Sequence, residues 1–128
     1  MSNSGLVKSS IGRKLVMALS GLFLLVFLLQ HLIINLLSVI SPTSFNEVSH
    51  FMGTNGIVQF AMQPILIGSI VIHYIMGIVL TIQNKKARPI AYIVDNQKTN
   101  SSWISRNMIF TGLAILAFLA VHFIDFWI

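Results

Sequence analysis

The sequence predicts an all-α protein, a bundle of transmembrane helices with three spans in this chain. Composition is the first reason: of the 128 residues, 55% are hydrophobic and only 9% are charged, whereas soluble domains carry about 25% charged residues. A core of this size cannot hide so much apolar surface from water, so lipid must be the solvent for most of the chain.

Three apolar stretches are the second reason. They cover about residues 15–40, 57–82 and 107–128 of one membrane domain, 1–128. Each supplies the roughly 20 helical residues that a bilayer core needs. Backbone polar groups find no partners in lipid, which predicts a helix for each span. The first stretch is far longer than the apolar core of a signal peptide, about 7–15 residues, so we expect a retained helix.

Proline and turn residues predict where the spans begin and end. Pro42 predicts the end of the first helix, and Asn55–Gly56 is a turn signal before the second. Residues 41–56 are therefore expected to form a loop. Pro64 lies early in the second span and predicts a kink there.

Charge distribution predicts the orientation. Three Lys or Arg residues precede the first span, five lie in the loop 83–106, and none lies in 41–56. The positive-inside rule then places the N-terminus and the loop 83–106 in the cytoplasm, in a multi-pass protein of the inner membrane. Because the basic residues flank apolar runs, the net charge of +5 is a topology signal rather than a nucleic-acid footprint.

Cysteine is absent from the sequence. Within this chain, disulfides, thiolate catalysis, iron–sulfur ligation, cysteine-based zinc sites and covalent c-type haem attachment are therefore excluded.

Histidines carry the functional signal. The sequence has four, and three of them, His31, His73 and His122, fall one in each span. Ionisable residues inside a bilayer are costly and rare, and they usually mark a functional path or a cofactor. The fourth, His50, falls in the 41–56 loop with Glu47 and is expected to be either plainly solvated or part of a quinone or proton site.

Two of these histidines lie at similar depths in the membrane, counted from the cytoplasmic boundary. His31 lies roughly 25 Å from the cytoplasmic boundary, His122 roughly 23 Å and His73 roughly 14 Å, at a rise of about 1.5 Å per residue. Two histidines at one level on different helices can ligate one haem iron from opposite faces. The pattern predicts haem b and two stacked haems, one with its ligand pair complete (His31 and His122) and one with His73 alone.

Small residues lie on the same helix face as His73, the span histidine nearest to the cytoplasm. Ser69 and Gly77 lie four residues before and after His73, on the same stripe of the helix. Small side chains there would let a macrocycle approach the backbone. Ordinary helix packing, which also uses Gly, Ser and Thr, is the alternative.

Two further hydroxyls fall near the same level. Ser20 and Thr111 each precede a span histidine, His31 and His122, by eleven residues. Eleven residues make about three turns, so each hydroxyl lies on its histidine's face about 16 Å nearer the cytoplasm. Both are expected to line the inner haem, with helix packing again the alternative.

Two polar residues follow the outer histidines. Asn35 stands one turn after His31, and Asp125 three residues after His122. Each is expected either to hydrogen-bond a histidine Nδ1–H, to line an outer quinone or proton site, or to be solvated near the interface.

These residues resemble a known family. The segment Ser9–Phe23 (SSIGRKLVMALSGLF), the order of the three span histidines, the Asn35–Leu36 pair and Tyr74 beside His73 are similar to the cytochrome b subunit of succinate dehydrogenase. The similarity is to the single-subunit, di-haem membrane anchor shared by succinate dehydrogenases and fumarate reductases. It extends over essentially the whole chain.

The resemblance implies an architecture and a function. Five helices would hold two b haems, with one ligand on each of the first four; His31 and His122 would ligate the outer haem, and His73 with a fourth-helix histidine the inner one. A flavoprotein subunit and an iron–sulfur subunit would dock on the cytoplasmic face and interconvert succinate and fumarate. This chain would pass electrons between the iron–sulfur subunit and membrane quinone, and would not be an enzyme on its own.

The departure from the family is length, because the fourth and fifth helices are absent. We therefore expect a C-terminally truncated fragment; a complete chain would need the fourth haem ligand from another subunit or would lose the inner haem. Two other functions stay open: a haem b anchor of another respiratory complex, such as a hydrogenase or formate dehydrogenase, and a small proton-coupled transporter with a histidine relay. A relay would need further buried acids, and Glu47, Asp95 and Asp125 all fall outside the middle of a span.

Overall fold

A computed structural model describes residues 9–86, 103 and 107–127, and the regular elements within these residues are all helical. This confirms the predicted fold class. In chain order, the elements are α1 (Ser10–Ile40), α2 (Pro42–Thr54), a π-helical turn (Val58–Met62) that runs into α3 (Gln63–Lys86), and α4 (Met108–Phe126). The chain forms two compact units, which divide at Met76 within α3.

Three of these helices are long and apolar enough to cross a membrane: α1, the continuous helix Val58–Lys86, and α4. Their large apolar side chains are mostly exposed, and Val58 and Met76 are the buried hydrophobic residues of the described part of the chain. Apolar surface on this scale is stable only in a non-aqueous solvent, because the chain itself does not cover it. The protein is a multi-pass membrane protein.

α1 begins earlier than predicted because Ser9 caps it. The Ser9 hydroxyl accepts a hydrogen bond from the Gly12 backbone N–H at 2.9 Å, which satisfies one of the unpaired donors of the first turn. The helix ends at Ile40, and Ser41 has the extended backbone (φ −150°, ψ 92°) that a residue before proline favours. Thirty-one residues span about 46 Å, more than the bilayer core of about 30 Å.

The loop predicted over residues 41–56 is wrong, because most of these residues form the helix α2. Pro42 ends α1 but also occupies the first position of α2, where its missing N–H costs nothing. Ser41 lies at the end of one helix and accepts a hydrogen bond from the Ser44 N–H of the next at 3.4 Å.

α2 packs against α1 and against the π-helical turn. Phe45, Val48 and Met52 are half-buried, at the three- and four-residue spacing of one helix face. Glu47 and His50 are exposed on α2. His50 is therefore a helical residue, and not the loop residue that the sequence predicted.

The break before the second span lies at Asn55. Its backbone N–H donates to Phe51 O at 2.9 Å and closes α2. Its side-chain oxygen accepts from the backbone N–H groups of Ile57 at 3.0 Å and Val58 at 3.2 Å. Asn55 thus ends one helix and caps the next, which agrees with the turn signal in the sequence.

Pro64 is accommodated by the π-helical turn. Gln63 N–H donates to Val58 O, five residues back instead of four. Pro64 itself has no N–H, and its ring would clash with the Phe60 carbonyl in a regular α-helix. A widened turn relieves that clash without breaking the span. The predicted cytoplasmic loop 83–106 lies mostly outside the described residues; its first four residues belong to α3.

Loss of the Asn55 cap is expected to weaken the α2–α3 corner. Asn55→Ala removes a side-chain acceptor shared by two N–H groups, and caps of this kind contribute about 0.5–2 kcal/mol. The measurement is the free energy of unfolding in mixed micelles titrated with a denaturing detergent. Asn46→Ala, at an exposed position of α2, is the matched control, and equal effects of the two changes would contradict the capping role.

Candidate functional site

One histidine lies in each membrane-spanning helix: His31 in α1, His73 in α3 and His122 in α4. All three side chains are half-buried. In the described part of the chain, no three His, Asp or Glu residues are grouped closely enough to hold a metal ion by themselves.

His73 is tied to α1 by a hydrogen bond. The distance between its Nδ1 and the Ser20 Oγ is 3.0 Å, and both residues belong to the first unit. The Ser20 hydroxyl also donates to the backbone carbonyl of Met17 at 3.0 Å. A half-buried imidazole and a hydroxyl from two different spans are therefore hydrogen-bonded to each other.

The backbone of α1 approaches the His73 ring at Gly21. A Cβ atom added at Gly21 would lie 3.1 Å from His73 Cε1 and 3.6 Å from Nδ1. A real Cβ is rarely this close to another side chain, so the absence of one lets the ring rest against the helix. Ser20 was predicted as a site residue from the sequence, whereas Gly21 was not; the available signal was two adjacent small residues within a run of leucines.

The Ser20–His73 contact agrees with the depths counted from the sequence. That count puts Ser20 roughly 9 Å from the cytoplasmic boundary and His73 roughly 14 Å, a difference of about one helical turn. The structure brings the two residues together. Ser69 and Gly77, which share the His73 stripe of α3, are both half-buried.

His31 has polar and aromatic neighbours on its own helix. The Phe27 ring lies 5.6 Å from the imidazole, centroid to centroid. The Asn35 side-chain nitrogen donates to the His31 backbone carbonyl at 2.7 Å and lies 3.3 Å from His31 Nδ1. Because an amide nitrogen only donates, Asn35 as placed does not accept a hydrogen bond from His31 Nδ1–H, which was one of the roles that its spacing suggested.

His122 lies among phenylalanines of α4. Its ring stacks on Phe118 at a centroid distance of 5.6 Å and an interplanar angle of 20°, and Phe126 lies 5.0 Å away. Thr111, half-buried in the same helix, donates its hydroxyl to Met108 O at 3.0 Å, as Ser20 does to Met17. Asp125 is exposed near the end of α4.

The residues present fit haem b. Its iron takes imidazole nitrogens as axial ligands in dry, apolar surroundings. Phenylalanine rings flank His31 and His122, and Gly21 lets the His73 ring lie against the backbone of α1. The hydrogen bond at His73 Nδ1 engages one ring nitrogen and leaves the other for a metal.

Comparisons with protein-family models, with curated proteins and with solved structures found no match to this chain. The resemblance to the succinate dehydrogenase cytochrome b subunit therefore rests on the residues named above.

Close packing makes Gly21 sensitive to substitution, because an added Cβ there meets the His73 ring, whereas one at Gly53, Gly56 or Gly68 meets no atom within 4 Å. Gly21→Ala would push the His73 ring by a few tenths of an ångström, and overpacking of this kind typically costs about 1–3 kcal/mol. Gly68→Ala is the matched control, because a Cβ there meets no atom within 4 Å and Ala favours a helix over Gly by about 1 kcal/mol. Unfolding in mixed micelles should show Gly68→Ala neutral or stabilising and Gly21→Ala destabilising; the reverse order would contradict the packing described.

Proposed function

We propose that this chain is a haem b-binding membrane anchor subunit of a succinate:quinone or fumarate:quinone oxidoreductase. In this role it passes electrons between an iron–sulfur subunit and membrane quinone. The observation that carries the proposal is the presence of one half-buried histidine in each of three membrane-spanning helices. Ionisable groups within a bilayer are costly and rare, and those that occur there usually serve a function.

His31 and His122 are the proposed ligands of the outer haem. Their depths in the sequence differ by only about 2 Å, and both are flanked by phenylalanine rings that keep water away. Bound haem would supply a one-electron carrier whose potential is set by its axial imidazoles and its apolar surroundings. The protein's own part is to hold the two imidazoles at one level and to exclude water from them.

His73 is the proposed ligand of the inner haem, whose second ligand would come from outside the three spans. Ser20, Ser69, Gly77 and Thr111 are the residues proposed to line this haem. Support comes from Ser20, which reaches His73 at 3.0 Å, and from the half-buried positions of the other three.

The N-terminus and the loop 83–106 are proposed to face the cytoplasm, because all eight Lys and Arg residues lie in these two segments. A flavoprotein subunit and an iron–sulfur subunit would dock on this face of the inner membrane. Electrons would then pass to quinone within the bilayer, through the haems.

A histidine relay for protons has less support than haem. A relay needs further buried acids within the spans, and Glu47 and Asp125 are both exposed. The rings next to His31 and His122 belong to phenylalanines, which neither donate nor accept protons. Aromatic surroundings suit a porphyrin better than a proton path.

The haem assignment predicts a low-spin b-type absorption spectrum for the purified protein. His31→Ala and His122→Ala are each expected to remove the same haem, because the two imidazoles ligate one iron. His50→Ala, at an exposed position on α2, is the control and should leave the spectrum unchanged. A colourless protein, or loss of different haems from the two variants, would contradict the assignment.

The complex assignment predicts a flavin-containing partner. Affinity purification of the tagged chain from its own membranes should recover a flavoprotein that oxidises succinate or reduces fumarate. A protein that keeps its b-type spectrum but brings down no flavoprotein would instead belong to another respiratory complex. The control is the same purification with an unrelated three-span protein.

A further inference from the structure

We infer that Ser20 is a positioning residue that holds His73 as the Nδ1–H tautomer and so leaves Nε2 as the nitrogen that binds iron. That the metal bound by Nε2 is haem iron rests on the proposed function; the tautomer of His73 does not. The inference follows from counting protons between three groups, the Met17 carbonyl, the Ser20 hydroxyl and the His73 imidazole.

A serine hydroxyl has one proton to donate. Ser20 Oγ lies 3.0 Å from Met17 O and 3.0 Å from His73 Nδ1. The Met17 carbonyl can only accept, so the first contact is a hydrogen bond only if the hydroxyl proton is directed to it. The second contact is then a hydrogen bond only if Nδ1 carries the proton and donates to Oγ.

The other tautomer leaves one contact unmade. If the hydroxyl donated to an unprotonated Nδ1, the two oxygens of Ser20 and Met17 would face each other without a proton between them. One hydrogen bond would then replace two, inside a span where no bulk water compensates the loss. Because the Nδ1–H tautomer makes two hydrogen bonds and the other tautomer makes one, the Nδ1–H tautomer prevails.

The packing at Gly21 turns the ring in the matching direction. His73 Cε1 and Nδ1 are the atoms nearest to the position of a Cβ on Gly21, at 3.1 Å and 3.6 Å, and Nε2 is not among those within 4 Å. The Nδ1–Cε1 edge of the ring therefore faces α1, and Nε2 points away from that backbone. Ser20 and Gly21, adjacent in sequence, fix the proton and the orientation of the same imidazole.

His31 provides a contrast on the same helix. There the neighbouring group is the Asn35 amide nitrogen, held by its 2.7 Å bond to the His31 carbonyl, and it approaches Nδ1 as a donor at 3.3 Å. Ser20 accepts from a ring N–H, whereas Asn35 does not. An accepting partner makes a ligating imidazole more basic, which favours ferric over ferrous iron.

Loss of the Ser20 hydroxyl should therefore raise the midpoint potential of the haem that His73 ligates. In the purified complex this haem is identified as the one lost in His73→Ala. Ser20→Ala is expected to increase its ferrous-to-ferric ratio at a fixed potential by up to about tenfold, equivalent to about 59 mV for one electron. Ser20→Thr, which keeps the hydroxyl, should restore the wild-type potential.

Ser38→Ala is the matched control. Ser38 lies on the same helix and also donates to a backbone carbonyl three residues back, Asn35 O at 2.7 Å, but it is exposed. If helix serines had only a structural role, Ser20→Ala and Ser38→Ala would shift the midpoint potential of this haem equally. Equal potentials for Ser20→Ala and wild type would overturn the inference.

A second readout needs no haem. The full chain labelled with ¹⁵N-histidine in lipid nanodiscs should show His73 with its proton on Nδ1, and Ser20→Ala should shift the signal toward a mixture of tautomers. Finding the proton on Nε2 in the wild-type chain would refute the tautomer. A wild-type complex that contains no haem, together with the Nδ1–H signal, would refute the proposed function and leave the tautomer standing.

Discussion

The absence of water inside a bilayer is the constraint on which this structure depends. Every polar group within a span must find its partner in the protein, and backbone groups do so by forming helices. The side-chain hydroxyls follow the same rule: Ser20, Ser38, Thr81 and Thr111 each donate to a carbonyl in the preceding turn of their own helix. An imidazole cannot place both of its nitrogens in hydrogen bonds to the preceding turn of its own helix. His73 therefore takes a partner from another span, and the Ser20–His73 hydrogen bond ties α1 to α3.

The same constraint connects stability to function. A half-buried imidazole with one nitrogen engaged still has a second nitrogen to satisfy, and a metal can take that position. A histidine in each of three apolar helices is therefore costly for folding alone, and the proposed haem ligation would offset that cost. In this account, the hydroxyl of Ser20 and the missing side chain at Gly21 set the proton and the angle of one such ligand before any cofactor binds.

Much of this arrangement could be predicted because it follows from one-dimensional patterns. Apolar length predicts the spans, the residue before Pro42 predicts the end of α1, and a constant helical rise predicts that Ser20 and His73 lie near one level. Other features depend on geometry that no single residue reveals. Pro42 both ends one helix and begins another, so α2 was missed, and with it the helical position of His50. Pro64 predicts a disturbance but not its form, a widened π-helical turn. The orientation of the Asn35 amide depends on its hydrogen bond to the His31 carbonyl. The spacing of residues in the sequence does not reveal that bond.

The central proposal is that His31 and His122 would together hold one haem near the outer face of the membrane. An electron cryo-microscopy map of the complex purified from its own membranes tests it most directly. The account predicts planar density for a macrocycle between α1 and α4, with iron within bonding distance of an imidazole nitrogen of each residue. Imidazole rings that point into lipid, or that lie too far apart for one iron to bridge, would contradict it.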